Sequence, residues 1–183
     1  MASVPEEMTG TWEIDPDHST AEFSIRHLMI STVRGRFSKF SGVIQGDPTD
    51  LTASTARLSI DVDSVDTRQK ERDNHLRSAD FFDASNYPHL TFDSTRINRT
   101  GDNTYEVVGN LTIRGTTREV PVQVEFSGIS KDPWGNVRAG FTATTKINRK
   151  DYGLMWNQAL ETGGVLVGDE VRITVELETV KKA

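Results

Sequence analysis

Polar and apolar residues alternate along most of this chain, and that period of two constrains the fold more than any other feature. Ala21, Phe23 and Ile25 alternate with Thr20, Glu22, Ser24 and Arg26, and Ala56, Leu58, Ile60 and Val62 alternate with Thr55, Arg57, Ser59 and Asp61. Successive side chains of a strand point to opposite faces, so each run is a half-buried β-strand. The same pattern predicts strands at 90–96, 105–113, 120–126, 137–147 and 171–179, with a short piece at 11–14 and a more broken one at 34–44. Turn residues separate them, among them Gly46-Asp47-Pro48 and Lys131-Asp132-Pro133-Trp134-Gly135-Asn136. Strands joined by such short links are antiparallel neighbours. Pro121 cannot donate to a ladder, so it marks an edge, a bulge or the start of its strand.

Many strands with one apolar face each must form a sandwich or a closed barrel. Consecutive hairpins from 90 to 147, without long crossings, favour the barrel. The 183 residues are read as one all-β domain over 11–180 behind a disordered arm over 1–10. The inward face mixes Phe23, Phe92, Phe126 and Phe141 with Ala21, Ala56, Gly109, Ala139 and Ala143. An eight-stranded barrel is either filled by side chains or wide enough for one small ligand, and the pattern leaves both open.

Alternation stops at residues 66–88, DTRQKERDNHLRSADFFDASNYP. Asp66 followed by Gln69 resembles a capping box, and 69–79 holds neither proline nor glycine, which predicts a short helix. On it Arg72, His75, Leu76 and Ala79 share one face. A second irregular segment, 149–157, again sets the basic Arg149 and Lys150 beside Tyr152, Leu154, Met155 and Trp156. These segments form either the mouth of a barrel or a plug across it.

Composition narrows the function. A formal net charge of −6 opposes nucleic acid and non-specific attraction to anionic membranes. No apolar run approaches a membrane span, and with no cysteine there is no thiolate chemistry or cysteine-ligated metal. The N-terminus lacks a basic and an apolar leader region, so the expected location is cytoplasmic, or periplasmic or secreted if a leader preceded it. Asp17, His18 and Ser19 have the residue types of a hydrolase triad, but adjacent residues of an extended segment point apart. The four histidines, His18, His27, His75 and His89, lack the close spacing of a zinc site. No catalytic set, metal site or cofactor is expected.

The opening Trp12-Glu13-Ile14-Asp15-Pro16-Asp17-His18-Ser19, continuing through Phe23-Ser24-Ile25-Arg26-His27, resembles the signature of the YceI-like, lipid-binding family of lipocalin-like barrels. The likeness continues through Gly35-Arg36-Phe37, the stretch from Arg72 to Asp83, Tyr87-Pro88, the stretch from Gly109 to Thr117, Asn148-Arg149-Lys150-Asp151-Tyr152-Gly153-Leu154 and Val171-Arg172-Ile173.

The resemblance implies an eight-stranded antiparallel lipocalin-like β-barrel with a short helical cap. It implies an apolar tunnel for a polyisoprenoid, isoprenoid quinone or fatty-acyl lipid, no established catalysis, and a homodimer. The tunnel residues are then Phe23, Ile25, Phe37, Phe40, Leu58, Leu76, Phe81, Phe82, Phe92, Leu111, Val124, Phe141, Tyr152, Leu154 and Trp156. The candidates for a polar head are His18, His27, Arg72, His75 and Arg149. Two other classes stand beside this one: an enzyme using His18, His27 or His75 as general base, and an interaction module with a filled barrel.

Overall fold

Backbone hydrogen bonds turn the alternating runs into one antiparallel sheet in the computed structural model, which describes residues 8–160 and 165–183. The part of the expected arm at 1–7 and the turn at Gly163-Gly164 lie outside the described residues. Residues 8–10 are tied down, since the Trp12 indole donates to the Met8 carbonyl at 2.9 Å and β1 begins at Gly10.

The strands are β1 (Gly10–Ile14), β2 (Thr20–His27), β3 (Ser31–Phe37), β4 (Phe40–Asp47), β5 (Asp50–Asp61), β6 (Val65–Asp66), β7 (His89–Arg99), β8 (Thr104–Ile113), β9 (Thr116–Lys131), β10 (Val137–Asn148) and β11 (Val167–Lys181). One helix, α1 (Lys70–Arg77), lies between β6 and β7. Among the described residues, the strands β1-β4-β5-β7-β8-β9-β10-β11 form a ring of eight that closes where β11 returns to β1. Three of the eight walls are broken strands, because β2, β3 and β6 extend β1, β4 and β5 at one end. The broken stretch expected at 34–44 is thus two strands parted at Ser38-Lys39.

Closure rests on β11, which serves two partners. Its end pairs with β1, Ile14 opposite Thr179, and its earlier part pairs with β2, Ala21 opposite Val175. Between them the chain makes a 3₁₀ turn over Pro16–His18, with proline in the first turn where its fixed φ suits a helix start. A charged cluster spans the break. Arg138 reaches Asp132 at 2.9 Å, Asp15 at 2.8 Å and Glu178 at 3.0 Å, and His18 Nδ1 lies 2.8 Å from Asp15. Ser19 Oγ takes the Glu178 backbone N–H rather than meeting His18, which ends the triad reading.

Pro121 sits within β9 rather than at its start. Its carbonyl accepts from the Thr145 hydroxyl at 2.8 Å, beyond the last β9–β10 pair at Gln123 opposite Thr144. N and O of one strand residue point the same way, so its missing donor faces a finished ladder.

The hairpin joining β2 to β3 was not legible as a turn. Leu28 and Met29 both have positive φ, 54° and 59°, and the Ile30 N–H returns to the His27 carbonyl at 3.1 Å. Such turns favour Asn-Gly, and a branched or long side chain there costs roughly 1–2 kcal/mol per residue. The helix is shorter than expected. Its N-cap is Gln69, whose side chain accepts from the Arg72 N–H, while Asp66 accepts from the Arg68 N–H.

Apolar side chains gather in two clusters. At the end carrying the chain termini, Trp12, Tyr105, Ala139 and Phe141 are almost fully buried and fill the barrel. Toward the helix, a larger cluster surrounds Phe37, Ile60, Leu111 and Tyr152.

The seam cluster sets a pH response. The hydrogen bond and charge of Asp15, then the charge of Glu178, hold the His18 pKa above its ordinary 6.5. Its stabilisation is therefore complete below that value and lost as pH rises through the folded one. Burial pushes the Asp132 carboxyl up, but Arg138, Asn136 and the Trp134 N–H outweigh it and hold the pKa at about 2. That contribution is present above 3.8 and lost as pH falls toward about 2. Urea midpoints should fall from neutral to mildly alkaline pH, with a shallower slope for His18→Gln. Parallel slopes would remove His18 from the seam energetics.

Candidate functional site

The inner wall shows what the alternation could not. Phe23, Ile25, Leu58, Phe92, Val122, Val124 and Ile173 face inward, yet each is only half-buried. Inside a closed barrel, apolar surface stays accessible only if the space beside it is empty. Here that space is a cavity of about 380 Å³, within the range of roughly 300–1,000 Å³ usual for small-molecule sites.

Small inward residues do not all create this room. A Cβ at Gly109 would lie 2.4 Å from Phe92 Cζ, and one at Gly35 would lie 2.4 Å from Phe23 Cζ. These glycines seat phenyl rings against the wall. Ala143 borders the cavity, whereas Ala139 is packed at the filled end.

The structure gathers Phe23, Ile25, Phe37, Leu58, Leu76, Phe81, Phe82, Phe92, Leu111, Val124, Phe141, Tyr152, Leu154 and Trp156 around this one cavity. Phe40 is not on its wall; it follows the break between β3 and β4 and packs against the neighbouring core. Both irregular segments meet at the helix end. The His75 ring stands edge-on to Trp156 at 4.7 Å and to Phe81 at 5.0 Å, and Phe81 lies 5.5 Å from Trp156.

Arginine side chains fix these segments through backbone carbonyls. Arg149 is 3% exposed and donates to the carbonyls of Gly168, Leu154 and Trp156 at 2.8, 2.6 and 2.9 Å. Burial lowers its pKa, opposed by Asp169. Its donors are committed to folding the loop, which accounts for the residue without a ligand. Arg114, a residue the sequence reading passed over, donates to Phe81 O at 2.9 Å and Gly153 O at 3.4 Å and so ties the two segments together. Lys150 pairs with Asp169 at 3.3 Å.

The other polar candidates separate. Arg72 is exposed at the cavity, where Nε and Nη2 donate to Thr67 at 2.8 Å each. Thr67 in turn donates to the buried Asp73. Among the described residues Arg72 forms no ion pair, and its Nη1 makes no hydrogen bond to the protein. His75 also borders the cavity, with Nε2 at 2.9 Å from Asp80. His27 lies on the wall at the base of the β2–β3 hairpin. His18 does not; it is on the seam, 62% exposed. Asp15, His18 and Glu178 come close enough to share a metal ion, but Arg138 already bonds both carboxylates.

Tyr152, expected on the tunnel wall as an apolar residue, also brings a polar group there. It is 1% exposed, and its hydroxyl has no hydrogen-bond partner among the described residues. Burial raises its pKa, so it is a neutral donor. No sequence signal distinguishes it from an ordinary core tyrosine.

The comparisons fit this geometry. The family model for the YceI-like domain matches residues 12–179. A UPF0312 protein of Staphylococcus epidermidis is 44% identical over 168 residues, covering 91% of this chain and 95% of its own. The crystal structure of BcnA from Burkholderia cenocepacia superimposes with a TM-score of 0.79 at 29% identity, over 90% of this chain and 98% of that one. A polyisoprenoid binding domain from Saccharophagus degradans has the same fold, with a TM-score of 0.72 at 19% identity over 93% and 98% of the two chains.

Two expectations follow. Ala139→Phe should lower stability by about 1–3 kcal/mol through overpacking, while Ala143→Phe places its ring in the cavity and should cost less. Equal losses in urea unfolding would mean that the cavity does not reach Ala143. Arg149→Leu, which strands several buried carbonyls, should cost about 2–4 kcal/mol in the same measurement.

Proposed function

Because the chain belongs to the YceI-like family, we propose that it binds a long-chain amphiphile, a polyisoprenoid, isoprenoid quinone or fatty-acyl lipid, for storage, transport or sequestration. The observation that carries this reading is the hollow barrel interior, with aromatic and aliphatic side chains left half-buried around an empty apolar space. The fold shared with a polyisoprenoid binding domain supports it. Each methylene taken from water contributes about 0.8 kcal/mol before ordering costs, so the tail supplies affinity. Chain length is discriminated weakly, by about 1 kcal/mol per methylene.

The polar end is held at the helix side of the cavity. Among the described residues, Arg72 has guanidinium N–H groups free of any carboxylate, a setting suited to a phosphate or carboxylate head. Tyr152 offers a buried hydroxyl without a partner among the described residues, which a ligand oxygen would satisfy. His27 and His75 line the same side and complete the polar candidates.

Organic extraction and native mass spectrometry of the purified protein test the proposal. A bound long-chain species is expected, or uptake of a prenyl phosphate or fatty acid by the emptied protein; a protein that is empty and takes up neither refutes it. Arg72→Gln should weaken a prenyl phosphate about tenfold or more and leave a prenol of equal length unchanged. Equal loss for both would make Arg72 a support of the cap. Tyr152→Phe should weaken oxygenated chains without lowering thermal stability, because it removes a buried hydroxyl that the empty protein leaves unpaired.

A further inference from the structure

Two exposed large apolar side chains sit side by side at one tip of the molecule. Met29 is 53% and Ile30 78% exposed at the turn between β2 and β3. They are not loose residues on a long loop. The three-residue link is closed by the Ile30 N–H to His27 carbonyl bond, and Arg26 Nη2 donates to the Met29 carbonyl at 3.1 Å. A backbone conformation that disfavours Leu and Met is thus held in place, and it presents two large apolar side chains to solvent.

Charge along the hairpin itself runs against that of the chain as a whole. The formal net charge is −6, yet residues 23–46 contain no Asp or Glu and carry Arg26, Arg34, Arg36 and Lys39. Arg36 pairs with Asp66 at 3.6 Å. Arg34 is exposed and makes no ion pair or hydrogen bond among the described residues. An apolar tip with basic flanks on an otherwise acidic molecule orients that tip toward an anionic surface. Two copies meeting tip to tip across a two-fold axis would instead bring like charges together.

The tip is also continuous with the cavity. Ile25, His27 and Val33 on the inner face of the hairpin line it, and the Leu28 N–H donates to Leu166 O at 2.8 Å, in the loop that follows Trp156. We propose that the β2–β3 hairpin is a membrane-docking element. Met29 and Ile30 enter the acyl region of an anionic bilayer, and Arg26 and Arg34 lie at the level of its phosphates. The net charge alone argued against anionic membranes, but it averages over a segment whose own charge is positive. The proposal stands on the hairpin and does not depend on which molecule fills the cavity.

Flotation of the intact protein with vesicles of phosphatidylcholine, with and without phosphatidylglycerol, tests it. Binding is expected only with phosphatidylglycerol, and to weaken as salt is raised. The double variant Met29→Asp, Ile30→Asp should bind these vesicles more than about tenfold less well. Arg34→Gln should lose about fivefold and show a shallower salt dependence. Circular dichroism and prenyl phosphate uptake should be unchanged in both variants, since none of these side chains packs in the core. The proposal fails if the native protein ignores anionic vesicles at low salt or if the double variant binds as well as the native protein. It fails equally if the substitutions turn a dimer into a monomer and leave vesicle binding intact, which would make the tip a contact between copies.

Discussion

A barrel that keeps its interior open must draw its rigidity from its wall, and this wall is closed by one strand serving two halves of a broken partner. The 15 residues of β11 pair with β1 at one end and with β2 toward the other. The 3₁₀ turn at Pro16–His18 makes this double pairing feasible, and Arg138 holds the break by bonding Asp15, Asp132 and Glu178 together. Ladder hydrogen bonds then satisfy the backbone around the ring of eight strands. The centre is relieved of supplying all the cohesion, and half-buried Phe23, Leu58 and Phe92 are tolerable there.

The helix end is organised by a different means. It is built from irregular chain, where no ladder satisfies the carbonyls, and guanidinium groups take over that task. Arg149, Arg114, Arg118 and Arg77 each donate to main-chain oxygens of segments distant from one another in the ladder pattern. The rigid fork of an arginine suits several carbonyls at once. This leaves the mouth shaped without a solid apolar plug, with Trp156, His75 and Phe81 packed edge to face at its rim. Arg72 differs from these in bonding, among the described residues, only Thr67.

The strands were legible because alternation is local: each half-buried run writes its own face into the sequence, and β7 through β11 lie where the period placed them. The cap and the second irregular segment were legible as interruptions of that period. What escaped detection depends on distant partners or on unfavourable turns. Leu28-Met29-Ile30 gives no sign of the reversal, because no glycine or asparagine announces it. His18, conspicuous in a motif-rich opening, serves the seam instead of the cavity. Arg149 looked like a free cation until its three carbonyl partners were placed around it. The unpaired hydroxyl of Tyr152 has no expression in sequence at all, since it is defined by what does not surround it.

The three tryptophans occupy three different depths. Trp12 is fully enclosed at the filled end, Trp134 is 82% exposed on the turn between β9 and β10, and Trp156 is half-buried where the cavity meets the cap. Filling the cavity changes the surroundings of the third and leaves the other two as they were. The molecule therefore carries an internal optical reporter, in which a shift of indole emission reads occupancy at Trp156 against two constant references.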